Sequence, residues 1–152
     1  MLKPFALLLL TLPFPALAQD SPIDGALIEI CLRDAPRGRA DADCIGIAAR
    51  ACQAWTGETT VQINTCIEAE RKEWDEALNR EYKETRDHFK DRPGIADKLK
   101  VAQKSWIGLR DADCEAEGLR YEGGTMQTTS TLYCQLEHTA RRALELRNMR
   151  DP

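Results

Sequence analysis

Aromatic residues are scarce in this chain: three Trp, three Tyr and three Phe make up 6% of its 152 residues. Nine Gly and seven Pro, with no fixed period, exclude a collagen-like or other Gly/Pro-rich fibre. No segment alternates polar and apolar residues over a strand's length, so no sheet is expected. No G-x-S-x-G elbow, phosphate loop or H-E-x-x-H stretch occurs. No two cysteines stand in the C-x-x-C spacing of a zinc or thioredoxin-type site. These absences remove the common hydrolase, nucleotide-binding, metalloprotease and redox readings. The chain is expected not to be an enzyme and to need no cofactor.

A hydrophobic fraction of 43% is enough for a real core and excludes wholesale disorder. At this length one domain is the default. The first residues form a class of their own. Met1-Leu2-Lys3 is a short basic start, Phe5 to Leu12 is an apolar run, and Ala16-Leu17-Ala18 offers the small-x-small pattern of a signal-peptidase site. Pro13 and Pro15 argue against a buried helix there, and the run is too short for a permanent membrane anchor. Residues 1–18 are read as a signal peptide and 19–152 as a single mature domain, periplasmic or secreted. Gln19 rather than Cys follows the cut, so no lipid anchor is expected. Loss of Lys3 with the leader, and of no acid, takes the formal net charge from −4 to −5. Such a balance disfavours nucleic acid and anionic lipid as partners and suits a basic protein. No later stretch is long and apolar enough to span a membrane.

Helical periodicity organises the remainder. Ser21-Pro22 reads as a helix start, with Ile23, Leu27 and Ile30 on one face. Arg33 to Ala40, holding Pro36 and Gly38, is a turn. A second short helix runs from about Asp41 to Trp55, with Ile45, Ala48, Cys52 and Trp55 inward, and Gly57 ends it. The third covers about Thr60 to Asp91 with Ile67, Trp74, Leu78, Tyr82 and Phe89 as its apolar stripe, and Arg92-Pro93-Gly94 stops it. The fourth runs from about Ile95 to Glu117 with Leu99, Ala102, Trp106 and Leu109 inward, closed by Gly118. The fifth spans about Ser130 to Met149. Residues 118–129 are then the one long loop.

The architecture expected is all-α: an antiparallel three-helix core with a short N-terminal helical hairpin. By these boundaries the third helix exceeds its partners by about 13 Å, an overhang for the hairpin to cover.

Six cysteines, an even count in an exported chain, read as three disulfides, and six allow fifteen pairings. Each consecutive pair flanks one helix corner, where antiparallel hairpins bring Cα atoms to the ~5–6 Å that a bridge needs. The expected pairs are Cys31–Cys44, Cys52–Cys66 and Cys114–Cys134.

An ordered set of short motifs carries a family resemblance. Cys66-Ile67-x-x-Glu70 leads into Trp74-Asp75 and Leu78-Asn79-x-x-Tyr82. Beyond the Pro-Gly turn come Ala102-Gln103-Lys104-Ser105-Trp106-Ile107 and Arg110-Asp111-Ala112-Asp113-Cys114, then Gly123-Gly124-Thr125, Cys134, Thr139 and Arg142. Over about residues 52–150 the chain resembles the LprI-type lysozyme-inhibitor domain of bacterial exported proteins. The resemblance implies a small, helical, disulfide-linked envelope domain named for inhibition of lysozyme. Two features depart from it. The lipoprotein cysteine of the founding type is missing, and residues 19–51, with their own cysteine pair, lie outside the common motif.

Among the motif residues, Trp74 and Trp106 are expected in the core of facing helices. Asp75 and Arg110 are expected as a partly buried ion pair across the seam of helices three and four, with Asp111 beside it. Asn79 is expected to bond across helices to Gln103. The Asp-Ala-Asp-Cys stretches ending at Cys44 and Cys114 read as exposed acids beside disulfides. Neither they nor the isolated His88 and His138 are read as metal ligands.

The candidate binding element is the loop Gly118 to Thr129, tied at its base by Cys114–Cys134. Many lysozymes are strongly basic and work through two carboxyls in a cleft, so an acidic inhibitor would be steered toward them. In that reading Arg120 pairs with a catalytic carboxylate, Tyr121 packs on the sugar-binding surface beside Glu122, and Gly123-Gly124 lets the backbone approach closely. The alternative is a non-enzymatic envelope interaction module, using the N-terminal hairpin or an exposed strip of helix three.

Overall fold

The computed structural model describes residues 21–151, so the expected leader 1–18 lies outside the described residues. It contains five helices: α1 (Ala26–Asp34), α2 (Ile47–Thr56), α3 (Thr60–His88), α4 (Pro93–Leu119) and α5 (Met126–Asn148). No strand occurs among the described residues.

Local chemistry sets most boundaries. Thr59 opens α3 with a reciprocal capping box: its hydroxyl accepts from the Gln62 N–H, while the Gln62 side chain accepts from the Thr59 N–H. Gly57, at φ 106°, ends α2 in a conformation open chiefly to glycine. Pro93 stands in the first turn of α4, where its missing N–H costs nothing.

α5 is the central helix. It packs along α3 on one side and α4 on the other. The Thr129 hydroxyl donates to Asn64 Oδ1 at 2.7 Å near the start of both α3 and α5, and the Thr85 hydroxyl donates to the Leu146 carbonyl at 2.8 Å near their ends. α3 and α5 therefore run parallel, with α4 antiparallel to α5. The buried faces comprise Ile67, Trp74, Ala77 and Leu78 of α3 and Leu136, Ala140, Ala143, Leu144 and Leu146 of α5. α1 and α2 lie on α3.

Several expectations are corrected. α1 starts at Ala26 rather than at Ser21-Pro22, and its buried face is Ile28, Cys31 and Leu32, leaving Ile30 44% exposed. Trp55 is 91% exposed, although the next residue, Thr56, reaches Cys66 of α3 with its hydroxyl at 3.4 Å. On α4, Leu99 is buried but Ala102 and Leu109 face solvent, and Trp106 is only half-buried. The helix has one main neighbour, and α5 covers only one side of it. α4 is also longer than expected, 27 residues against 29 in α3. The expected excess over α4 shrinks to about 3 Å, and the hairpin follows α3 from the Cys52–Cys66 bridge to the Arg80–Glu29 ion pair.

All three expected disulfides form, with Cα separations of 5.7 Å for Cys31–Cys44, 5.7 Å for Cys52–Cys66 and 5.4 Å for Cys114–Cys134. No described cysteine is free.

Candidate functional site

Gly118 does not close α4. It is buried inside the helix, where a Cβ would lie 2.1 Å from Thr131 Oγ1 and 3.3 Å from the Gln127 carbonyl. Glycine is there because α5 crosses closely, and that crossing sets the Cys114–Cys134 bridge one turn below. The loop of 118–129 shrinks accordingly to residues 120–125, since α5 already begins at Met126.

What remains is a tight, internally bonded turn. The N–H groups of Tyr121, Glu122 and Gly124 donate to the carbonyls of Gly118, Leu119 and Tyr121 at 2.9, 3.1 and 2.9 Å. Gly123, at φ 74°, turns the chain, and its N–H donates to Gln127 Oε1 at 3.3 Å. Tyr121, Glu122, Gly123 and Gly124 are exposed together at this end. Arg120 is exposed too, but it donates to both carboxylate oxygens of Glu117 at 3.0 and 2.8 Å and lies 6.0 Å from the Tyr121 ring centre. Hydrogen bonding to Glu117 raises its pKa above the ordinary value, so it is a fixed cation.

Beside the turn, α4 and α5 enclose a cleft of about 480 Å³. Asp113 and Glu117 line one wall, and Met126, Tyr133, Glu137 and His138 line the other. Sequence reasoning missed the α5 wall. Its signal is the spacing around Cys134, since Glu137 and His138 follow by three and four residues on the same helical face. His138 brings its imidazole within 4.8 Å of both sulfurs of Cys114–Cys134. Those sulfurs are bonded to each other and offer no thiolate to a metal.

The other motif residues lie away from the turn and the cleft. Trp74 is fully buried, as expected. Asp75 and Arg110 do not meet: Arg110 pairs with its neighbour Asp111 at 2.8 Å and stacks on Trp106 at 5.1 Å, while Asp75 accepts from Asn79 at 3.3 Å. The reason is topological, because α5 intervenes where a seam between helices three and four was expected. Asn79 does not reach Gln103, which accepts instead from Arg142 at 3.0 Å. Tyr82 is half-buried under Arg86, whose guanidinium lies 5.7 Å from the ring centre. Glu70 proves more consequential than its place in the motif implied. Fully buried, it accepts the N–H of Gly46 at 2.7 Å and of Ala49 at 2.6 Å, capping α2 from another helix.

The pattern of the family described as "Lysozyme inhibitor LprI" matches residues 51–146. The chain belongs to the LprI family. The match starts beside Cys52 and takes in the Cys52–Cys66 and Cys114–Cys134 bridges, the turn and the cleft. It excludes α1 and the Cys31–Cys44 bridge. An uncharacterized protein of Rhizobium meliloti (strain 1021) is 31% identical over 100 residues, spanning 59% of this chain and 72% of that protein. No solved structure matches the chain. The family's description as an inhibitor points to a lysozyme-inhibitor-like function and is consistent with a non-enzyme. No helix among the described residues is long and apolar enough to cross a membrane.

Proposed function

We propose that the chain is an exported binding protein of the lysozyme-inhibitor type, acting outside the cytoplasm after loss of residues 1–18, with residues 19–152 folding as one domain. The contact surface is the end of the α4–α5 pair: the turn Arg120 to Gly124 and the acid-lined cleft next to it. The observation that carries this reading is the position of that cleft. Asp113, Glu117 and Glu137 stand within the family-matched region, beside an exposed turn anchored by Cys114–Cys134.

The chemistry suits a basic enzyme with a carboxylate cleft. Acids around the turn steer the encounter. Arg120 then exchanges Glu117 for a carboxylate of the lysozyme, an exchange of low cost because an ion pair in water contributes little to stability. Tyr121, 42% exposed, supplies an aromatic face.

Inhibition of lysozyme turnover by the purified oxidised protein tests this. Arg120→Ala with Tyr121→Ala is expected to weaken inhibition strongly while helix content stays unchanged. A wild-type protein without effect at micromolar excess over several lysozyme classes overturns the reading. The N-terminal hairpin favours a second reading, an envelope interaction module. Leu27, Ile30, Ala42 and Ile47 line an apolar groove of about 300 Å³ outside the family-matched region. Inhibition that survives the double substitution but fails when Ile30 and Ile47 are made polar would favour it.

A further inference from the structure

α4 is apolar on two opposite sides. One side buries Leu99, Cys114 and Gly118 against α5. At 100° per residue the diametrically opposite side carries Val101, Ser105, Gly108, Ala112 and Leu119, all exposed, with Val101 at 62% and Leu119 at 49%. A surface helix packed on one neighbour ordinarily places its charges there. Here they flank the stripe instead.

Gly108 is a second, independent sign. Glycine weakens a helix interior, yet this one has no reason within the chain, because a Cβ there would meet nothing within 4 Å. Its contrast with Gly118, on the α5 side, is complete.

The charges supply a third. Lys98, Lys100 and Lys104 occupy the first half of α4 and Asp111, Asp113, Glu115 and Glu117 the second, with Asp97 and Arg110 the exceptions. The spacing of the stripe, in steps of four, three, four and seven, is that of a helix–helix seam.

We propose that two copies of this chain form a two-fold dimer through antiparallel pairing of α4 with α4. In that register Val101 stands opposite Ala112 of the second copy, and Ser105 opposite its Gly108. The smallest residues thus lie at the centre, where they allow close approach of the helix axes. On one flank Lys104 faces Asp111 of the second copy, and at the edges of the stripe Lys98 stands level with its Glu115. On the other flank Ala102 faces Leu109. Every match occurs twice by symmetry. A parallel pairing would instead set Lys104 beside Lys104 and Asp111 beside Asp111. Asp111 remains able to accept, since Arg110 engages only its Oδ1. The cleft of Asp113 and Glu117 opens toward α5, so dimerisation leaves it clear, and the two proposals fail independently.

Sedimentation of the full oxidised protein, up to about 500 µM because a single helix pair is smaller than the ~800 Å² per partner of a stable interface, tests the assignment. A concentration-dependent monomer–dimer equilibrium is expected. Lys104→Glu should weaken it by about tenfold or more through like-charge repulsion, and Lys104→Glu with Asp111→Lys should restore it to within about threefold. Gly108→Arg, whose side chain enters open space in the monomer, should leave circular dichroism unchanged and abolish the dimer. A photo-crosslinking residue at position 105 should capture the segment around Gly108 of the second copy. A monomer at every concentration, a dimer indifferent to these substitutions, or a cross-link to any other segment overturns the proposal.

Discussion

Trp74 donates its indole N–H to Glu70 Oε1 at 3.1 Å, one helical turn away, and both side chains are wholly buried. The same carboxylate receives the N–H groups of Gly46 and Ala49, so a single acid on α3 closes the start of α2 and fixes the largest side chain of the core. Glu70→Ala removes the acceptor for three buried donors. A stranded donor costs about 1–3 kcal/mol, so a loss of roughly 3 kcal/mol or more is expected. Glu70→Gln keeps one acceptor and the volume and should cost less. Urea unfolding of the two variants measures the difference. Equal, small losses would show that α2 does not depend on this cap.

That arrangement shows where sequence reading succeeds and where it stops. Thr59, Gly57 and Pro93 act through their immediate neighbours, so the boundaries they set are legible one residue at a time. The cysteine pairs are legible for the same reason, since each bridges one helix corner. Glu70 is different. Within an apolar stripe it reads as a motif residue without a task, and only the donors arriving from α2 define one. Asp75 and Arg110 fail for a related reason: spacing places both on helices but does not say that α5 lies between. At the candidate site the turn residues Arg120 to Gly124 were legible from their composition. The cleft was not, because its α5 wall depends on how closely two helices cross.

The crossing itself is testable at Gly118. A Cβ there meets Thr131 Oγ1 at 2.1 Å and the Gln127 backbone at 3.3 Å. Gly118→Ala is therefore expected to destabilise by about 1–3 kcal/mol, the usual range for overpacking, although alanine is the better helix former. At Gly108 the same substitution meets nothing, and in dilute solution it should stabilise by about 0.5–1 kcal/mol. Thermal unfolding at one low concentration compares them. The two shifts should have opposite signs, and a shared sign would remove the packing explanation for Gly118.

Acid should weaken the fold through carboxylates held by neighbouring arginines. Arg71 donates to Glu68 at 2.6 and 2.7 Å and lowers its pKa below the ordinary 4.5. Arg33 and Arg39 lower Asp34 and Asp41 in the same way, although both of those acids are fully exposed. A depressed folded-state pKa contributes stability above the unfolded value, which is lost as pH falls through the folded one. Stability should thus decline below about pH 4.5, with the Glu68 share under ~1 kcal/mol after solvent screening. Denaturant midpoints from pH 7 to pH 3 check this, with Glu68→Gln expected to flatten the decline slightly. A steeper decline in Glu68→Gln than in wild type would give the pair the wrong sign.

The end of α5 holds the N-terminal region by one buried cation. Arg147 donates to the carbonyls of Leu32 and Pro36, and desolvation lowers its pKa without discharging it. Asn148 adds a bond from its amide to the Arg39 carbonyl at 2.8 Å. Together they clamp the connection between α1 and α2, a segment outside the family-matched region, to the end of α5, whose residues up to 146 lie inside it. Arg147→Met preserves much of the apolar stem but leaves the carbonyls without their donor, at an expected cost of about 2 kcal/mol. Arg147→Lys should recover only part, because a single ammonium cannot reproduce the guanidinium fork. Limited proteolysis between residues 33 and 44, with intact Cys31–Cys44 verified by mass spectrometry, reads the local effect. Faster cleavage in Arg147→Met at unchanged helix content is expected. Identical cleavage would mean that the disulfide alone holds this segment in place.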